Sequence, residues 1–79
     1  MTIGKQQLRD FHDKVYEGYQ GVLFGDKNVL YKMKELWMYM IQVFEEPAKY
    51  MKKIRKSERL SDYDEAVSSV FRELELVVN

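Results

Sequence analysis

The sequence contains no cysteine among its 79 residues. This absence excludes disulfide bonds, thiolate metal sites and a cysteine nucleophile. The chain also has one histidine, and a single histidine without further ligands is weak evidence for a metal site. No glycine-rich phosphate-binding loop and no serine nucleophile motif is present. We therefore expect no catalysis by this chain alone and no cofactor bound to it.

Long hydrophobic runs are lacking as well. No stretch approaches the about 20 residues that span a bilayer, and the start MTIGKQQ lacks the apolar centre of a signal peptide. We therefore expect no membrane partner and a cytoplasmic location. Apolar residues make up 46% of the chain and charged residues 33%, as in folded soluble proteins. The length fits one helical domain, residues 1–79, near the lower size limit for a single core.

A net charge is absent, because 13 basic and 13 acidic residues cancel. The two signs are nevertheless separated along the chain. Residues 46–60 carry six basic and two acidic groups, whereas residues 61–79 carry one basic and five acidic groups. These blocks therefore have charges of +4 and −4. A neutral total would ordinarily argue against nucleic-acid binding, but the basic block keeps that function open.

Apolar periodicity predicts two helices in the first half of the chain. Apolar residues recur at steps of three and four over about residues 5–23, which indicates an amphipathic helix. Gly25 is expected to end this segment, and Asp26 is expected to cap the next helix. The second helix is predicted to run to about Glu45. Its wide apolar face includes Trp37, which we expect to pack in the core rather than to stack on a base.

Two further helices are predicted in the second half. Pro47 suits the first turn of a third helix, which should continue to about Ser57. Ser61 and Asp64 resemble a capping box at the start of a fourth helix. Only the stretch LELVV, residues 74–78, alternates as a strand would. Short connections between four amphipathic helices favour an all-α fold, a compact antiparallel four-helix bundle.

The third helix is expected to carry a basic face. Four lysines follow the i, i+3, i+4, i+7 spacing and two arginines lie on a neighbouring ridge: Lys49, Lys52, Lys53, Lys56, Arg55 and Arg59. A rigid basic helix can neutralise several RNA phosphates. The residues alone favour a solvated face or pairing with the acidic fourth helix over nucleic-acid binding, and they also allow stabilisation of the helix dipole.

Aromatic residues and the histidine give weaker signals. Four tyrosines are expected at the rim of the core with their hydroxyl groups in water: Tyr16, Tyr31, Tyr50 and Tyr63. Tyr39 lies off the main apolar stripe, so both packing and base stacking stay open for it. His12 lies near Asp13 and Glu17 in sequence, but on a helix it should point about 100° away from Asp13. We therefore assign it no metal or acid–base role.

A resemblance to a known family rests on the segment FGDKNVLYKMKELWMYM, residues 24–40. The triplet FGD is followed by Lys32 and Lys34, and then by Trp37 and Tyr39. This order resembles the C-terminal helical domain of bacterial tRNA-dihydrouridine synthases, in which FGE precedes two basic residues, a histidine and an aromatic pair. The histidine is missing here and the aromatic pair is split. The flanking stretches LRDFHDKVYEGYQ and KKIRKSERLSDYDEAV are similar to one branch of the family.

The resemblance implies a tRNA-binding accessory domain of a larger enzyme. In that family a barrel domain binds FMN and reduces a uridine with NADPH and a catalytic cysteine, while the helical domain helps to hold the tRNA. FMN and NADPH would therefore belong to a catalytic barrel of the same polypeptide, which these residues do not include. The resemblance assigns Lys32 and Lys34, together with the basic face of the third helix, to tRNA binding.

A second interpretation comes from a different functional class. The methionine-rich second helix and the two opposite charge blocks also fit a helical protein-interaction module or a small homo-oligomer without nucleic-acid binding. If a barrel is missing, the apolar patch that it would cover should cause weak self-association of this fragment.

Overall fold

The structure, a computed structural model, describes residues 4–77. Over this range the chain forms four α-helices: α1 (Lys5–Val22), α2 (Asp26–Met40), α3 (Ala48–Lys56) and α4 (Leu60–Glu73). A short 3₁₀ helix, Ile41–Val43, continues from α2. The predicted all-α four-helix bundle is thus confirmed. None of these helices is both long and apolar enough to cross a membrane.

The hydrophobic core is supplied mainly by α2 and α4. Its buried side chains are Val29, Leu30, Met33, Trp37, Met40, Ile41, Phe44, Ile54, Tyr63, Ala66, Val67, Val70, Phe71 and Leu74. The predicted core position of Trp37 is confirmed, since its side chain has no exposed surface. By contrast, α1 has one fully buried residue, His12, and otherwise packs through half-buried side chains such as Leu8 and Val15.

The turn between α1 and α2 depends on a glycine. Gly25 has φ 87°, a left-handed conformation that costs glycine little and other residues much more. Its carbonyl accepts backbone hydrogen bonds from Asn28 and Val29, so Gly25 itself occupies the cap position. The predicted capping role of Asp26 is therefore wrong, and Asp26 is the first helical residue. Its carboxylate still lies in the first turn, where negative charge is favourable.

The second helix ends earlier than predicted, because the residues that follow α2 pair with the C-terminal segment of the chain. Phe44 has an extended backbone and forms an antiparallel bridge with Leu76. The Glu45 N–H donates a hydrogen bond of 2.9 Å to the carbonyl of Glu75. The strand-like stretch noted in the sequence thus forms an isolated bridge, and its last position, 78, lies outside the described residues.

Both caps predicted for the second half of the chain differ from the structure, by one residue at α3 and by two residues at α4. Pro47 lies just before α3, as its N-cap, rather than in the first turn. The fourth helix begins at Leu60, because the carbonyl of Arg59 already accepts the N–H of Tyr63 at 3.0 Å. Ser61 consequently lies inside the helix, and no side chain caps α4. The predicted capping box is wrong.

Candidate nucleic-acid interface

The basic residues predicted on α3 and just after it all lie on the surface: Lys49, Lys52, Lys53, Arg55, Lys56 and Arg59 are exposed. Over residues 4–77, none of these six cations forms an ion pair within 4.0 Å. The pairing with the acidic fourth helix that the sequence allowed is therefore not made as direct contacts. Their ammonium and guanidinium groups are accessible to an anion.

The electrostatic surroundings of these cations nevertheless differ. Lys49 borders a cavity together with four carboxylates, those of Glu45, Glu46, Glu73 and Glu75. Lys53 and Lys56 border a groove with Asp62 and Glu65 of α4. Carboxylates this close offset the attraction of a lysine for phosphate. Lys49 is thus the least suited of the six for binding RNA.

A second groove lies between α2 and the α3–α4 connection. We call it the Tyr31 groove; it has a volume of about 500 Å³ and is lined by Lys27, Leu30, Tyr31, Lys34, Ser57, Glu58 and Arg59. Three of these side chains are cations and one is an acid. The groove therefore offers an excess of positive charge beside an aromatic ring, which the grooves around Lys49 and Lys53 do not.

Lys34 has a structural contact that the sequence did not reveal. Its Nζ donates a hydrogen bond of 2.7 Å to the carbonyl of Ser57, the residue that ends α3. A cation at this end of a helix is favourable, because the last carbonyl groups carry partial negative charge. The ammonium has two further N–H groups that can still meet a phosphate. Lys34 therefore joins α2 to α3 while remaining at the edge of the Tyr31 groove.

Lys32 does not share this position. Residues two apart on an α-helix differ by about 200° around its axis, so Lys32 and Lys34 lie on nearly opposite sides of α2. Lys32 is exposed, whereas Lys34 is half-buried. The structure thus does not bring the two lysines of the motif together, and their joint binding of one RNA segment stays a prediction.

Two tyrosines of α2 expose their rings. Tyr31 is 66% exposed and Tyr39 is 72% exposed, so either can stack on a base. Trp37 has no exposed surface and is excluded from stacking. Tyr31 and Lys27 were not assigned to RNA binding from the sequence. The signal that would have found them is the i, i+4, i+7 spacing of Lys27, Tyr31 and Lys34, which places all three on one face.

A hydrogen-bonded cluster fills the centre of the bundle, where the sequence predicted no polar groups. Trp37 Nε1 donates to the hydroxyl oxygen of Tyr63 at 2.8 Å, and this oxygen lies 2.7 Å from His12 Nε2. On the other side of the ring, His12 Nδ1 lies 3.0 Å from a carboxylate oxygen of Asp13. Because that carboxylate only accepts, Nδ1 carries the proton, and Nε2 accepts from Tyr63.

Two predictions about this region are wrong. The hydroxyl of Tyr63 is buried instead of lying in water, and burial raises the pKa of this hydroxyl. His12 meets Asp13 although their Cα–Cβ bonds diverge, because the direction of Cβ does not fix where the end of a side chain lies. Burial lowers the pKa of His12, against the opposing effect of the Asp13 carboxylate. The ring is therefore neutral and structural.

Tyr16 adds an unusual polar atom next to this cluster. Its ring packs edge-on against Tyr63, with centroids 5.1 Å apart. The hydroxyl is buried and has no hydrogen-bond partner within residues 4–77, so its predicted contact with water is wrong. Burial raises the pKa of this hydroxyl, and the Asp64 carboxylate raises it further because it is near, although the two groups do not meet in hydrogen-bond geometry. The atom is enclosed, so it has no access to a substrate.

The described part of the chain contains no group of three or more histidine, aspartate or glutamate side chains that could hold a metal ion. The exposed cations and aromatic rings described above can bind anions and flat apolar groups. No protein-family model, curated protein or solved structure matches the chain.

Proposed function

We propose that this chain is the tRNA-binding helical domain of a tRNA-dihydrouridine synthase. The proposal is supported by the sequence resemblance of residues 24–40 and their flanks, and an all-α bundle is the fold that this resemblance implies. In this account a barrel outside these residues binds FMN and NADPH and reduces a uridine. The helical domain holds the tRNA, and the location is cytoplasmic.

One observation carries the RNA-binding part of the proposal. Three exposed cations are free of ion pairs within residues 4–77. They are Lys52 and Arg55 on α3 and Arg59 in the connection that follows it. Arg59 also borders the Tyr31 groove with Lys27 and Lys34. Cations held on rigid helices can neutralise the closely spaced phosphates of a folded RNA without the entropic cost of ordering a loop.

Such contacts position an RNA but do not read its sequence. In this proposal Lys52, Arg55 and Arg59 are the main phosphate contacts, because they are exposed and free of ion pairs within residues 4–77, and Lys34 contributes at the Tyr31 groove. Lys53 and Lys56 contribute less, because Asp62 and Glu65 share their groove. We assign eight basic residues to tRNA binding: Lys32, Lys34, Lys49, Lys52, Lys53, Arg55, Lys56 and Arg59. Lys49 contributes least, because four carboxylates share its cavity.

The proposal is tested by titrating the purified chain with bulk tRNA and with duplex DNA of equal charge at several salt concentrations. NMR signals of the lysine and arginine side chains identify the surface that binds. We expect tighter binding to tRNA, with the largest shifts at Lys52, Arg55 and Arg59. Equal affinity for duplex DNA, or no binding to either, would contradict the proposal.

The second candidate function, protein interaction or self-association, is favoured by a separate observation. Phe24 is 96% exposed, and Phe11 and Val22 on α1 are exposed as well. Gly18 lies on the same side of α1, and a side chain added there would meet no atom of the described structure within 4 Å. Sedimentation at several protein and salt concentrations tests this alternative. A stable dimer without RNA affinity would make it the leading account.

A further inference from the structure

The Tyr31 groove combines features that a simple phosphate-binding surface does not need. Tyr31 exposes its ring, and Leu30 beside it is buried and forms apolar lining. Lys27 lies one turn before Tyr31 on α2, and Arg59 approaches from the α3–α4 connection. An aromatic ring flanked by two cations is the arrangement that single-stranded nucleic acids meet in proteins, where a base stacks and the backbone is neutralised.

The walls of this groove are held in place by contacts within the fold. Lys34 Nζ joins α2 to the carbonyl of Ser57 at 2.7 Å. Ser57 is itself buried, and its hydroxyl donates to the carbonyl of Lys53 at 3.0 Å. The connection that carries Arg59 is therefore fixed against α2 on one side. A groove that is formed before binding loses little entropy when a ligand enters.

The size and charge of the groove restrict what can occupy it. Its volume of about 500 Å³ is in the range of pockets for small organic molecules, so it admits one nucleotide and not a duplex. Its lining carries three cations and one acid, which favours an anionic ligand. A paired helix hides its base faces, whereas loops of a folded RNA present unpaired bases that can be stacked on aromatic side chains.

We propose that the Tyr31 groove binds one unpaired nucleotide of a folded RNA. The base stacks on Tyr31, and the two adjacent phosphates contact Lys27 and Arg59. The identification of that RNA as tRNA rests on the proposed function; the stacking site does not. The groove of Lys53 and Lys56 is a useful contrast, because its lining has no aromatic ring and includes two acids.

The test compares three RNAs, bulk tRNA, a single-stranded oligouridylate and a fully paired RNA duplex, by fluorescence anisotropy with the whole chain. The variants are Tyr31→Ala, Tyr31→Phe and Tyr39→Ala, the last being a matched control for another exposed tyrosine of α2. Circular dichroism and urea unfolding establish that each variant is folded. Tyr31→Ala should weaken binding of tRNA and oligouridylate by about 5- to 150-fold, the range expected for loss of one base–aromatic stack. Tyr31→Phe and Tyr39→Ala should remain within about 2-fold of the original chain, because the first keeps the ring and the second is not part of the lining of the Tyr31 groove.

The outcomes separate this inference from the proposed function. If Tyr31→Ala leaves tRNA binding unaffected, or if Tyr39→Ala weakens it equally, the proposed stacking site in the Tyr31 groove is overturned. The proposed tRNA binding of the chain would then still stand. Tyr31-dependent binding of oligouridylate without binding of tRNA would support the groove and overturn the proposed function. An absence of binding to all three RNAs would overturn both.

Discussion

The hydroxyl oxygen of Tyr63 lies 2.7 Å from Nε2 of His12, although 51 residues separate them in sequence. This contact joins α1 to α4 through the centre of the bundle. The same oxygen accepts a hydrogen bond from Nε1 of Trp37 on α2. One phenolic group therefore connects three helices. The attachment of α1 to the bundle depends on this group more than that of α2 or α4, because α1 buries few apolar side chains.

Replacing Tyr63 by Phe should lower the free energy of unfolding by about 2 to 6 kcal/mol. The substitution leaves the Trp37 N–H and His12 Nε2 buried without partners, and each such group costs about 1 to 3 kcal/mol. A chain of this length has a total stability of roughly 4 to 12 kcal/mol, so the loss is a large fraction of the total and is measured by urea unfolding. Tyr39→Phe is the control at an exposed site. If both variants lose the same stability, the buried contacts contribute nothing.

Replacing Tyr16 by Phe should have the opposite effect. Its hydroxyl is buried and lacks a hydrogen-bond partner in the described part of the chain, so its removal relieves a desolvation cost. We expect the free energy of unfolding to stay unchanged or to rise by up to about 1 kcal/mol. Tyr63→Phe is a suitable comparison, because both substitutions remove one hydroxyl group and the two rings are in edge contact. A loss of more than about 1 kcal/mol would show that the Tyr16 hydroxyl has a partner after all.

Stability should fall as the pH is lowered below 6.5. Burial lowers the pKa of His12 in the folded chain below its ordinary value of 6.5, and Arg9 acts in the same direction while Asp13 and Asp64 oppose it. Well above pH 6.5 the ring is neutral in both states, so this contribution is fully present. Below it the unfolded chain takes up a proton that the folded chain resists, and stability is lost at up to about 1.4 kcal/mol per pH unit.

This pH dependence can be assigned to one residue, because the chain has a single histidine. Urea unfolding between pH 5 and 7.5 should show the decline in the original chain and a much flatter profile in His12→Gln. The slope is compared rather than the absolute stability, so a general destabilisation by the substitution does not affect the result. An NMR titration that gives His12 a pKa of 6.5 or higher in the folded state would contradict the assignment.

The helices could be predicted from the sequence because their apolar periodicity is local, and α1 agrees with its predicted span to within a residue. The end of α2 could not be predicted, because it depends on the bridge between Phe44 and Leu76, which are far apart in the chain. The exposure of the basic face followed from spacing on one helix. The acidic surroundings that distinguish Lys49 from the other cations of α3 could not be predicted, because the glutamates around Lys49 come from two separate segments. The buried hydroxyl of Tyr63 could not be predicted for the same reason, because its partners His12 and Trp37 lie on other helices.

Removing the ammonium group of Lys34 should destabilise the fold, whereas the same change at Lys32 should not. Lys34→Met keeps an unbranched side chain but loses the bond to the Ser57 carbonyl and the favourable charge at the end of α3. We expect a loss of about 1 to 2 kcal/mol in urea unfolding. Lys32→Met, at an exposed site of the same helix, should stay within about 0.5 kcal/mol. Equal effects of the two substitutions would remove Lys34 from the packing of α2 on α3.

The surroundings of the lysines on α3 predict unequal contributions to tRNA binding. Lys52 and Lys49 are both exposed and lie one turn apart, so they form a matched pair. Lys52→Gln should weaken binding and reduce the slope of log K against log salt by about 1, the value for one lost phosphate contact. Lys49→Gln should leave the slope nearly unchanged, because four carboxylates share the cavity that Lys49 borders and keep a phosphate at a distance. Equal slope changes would mean that the RNA covers the whole of α3, and that the acidic cavity does not exclude it.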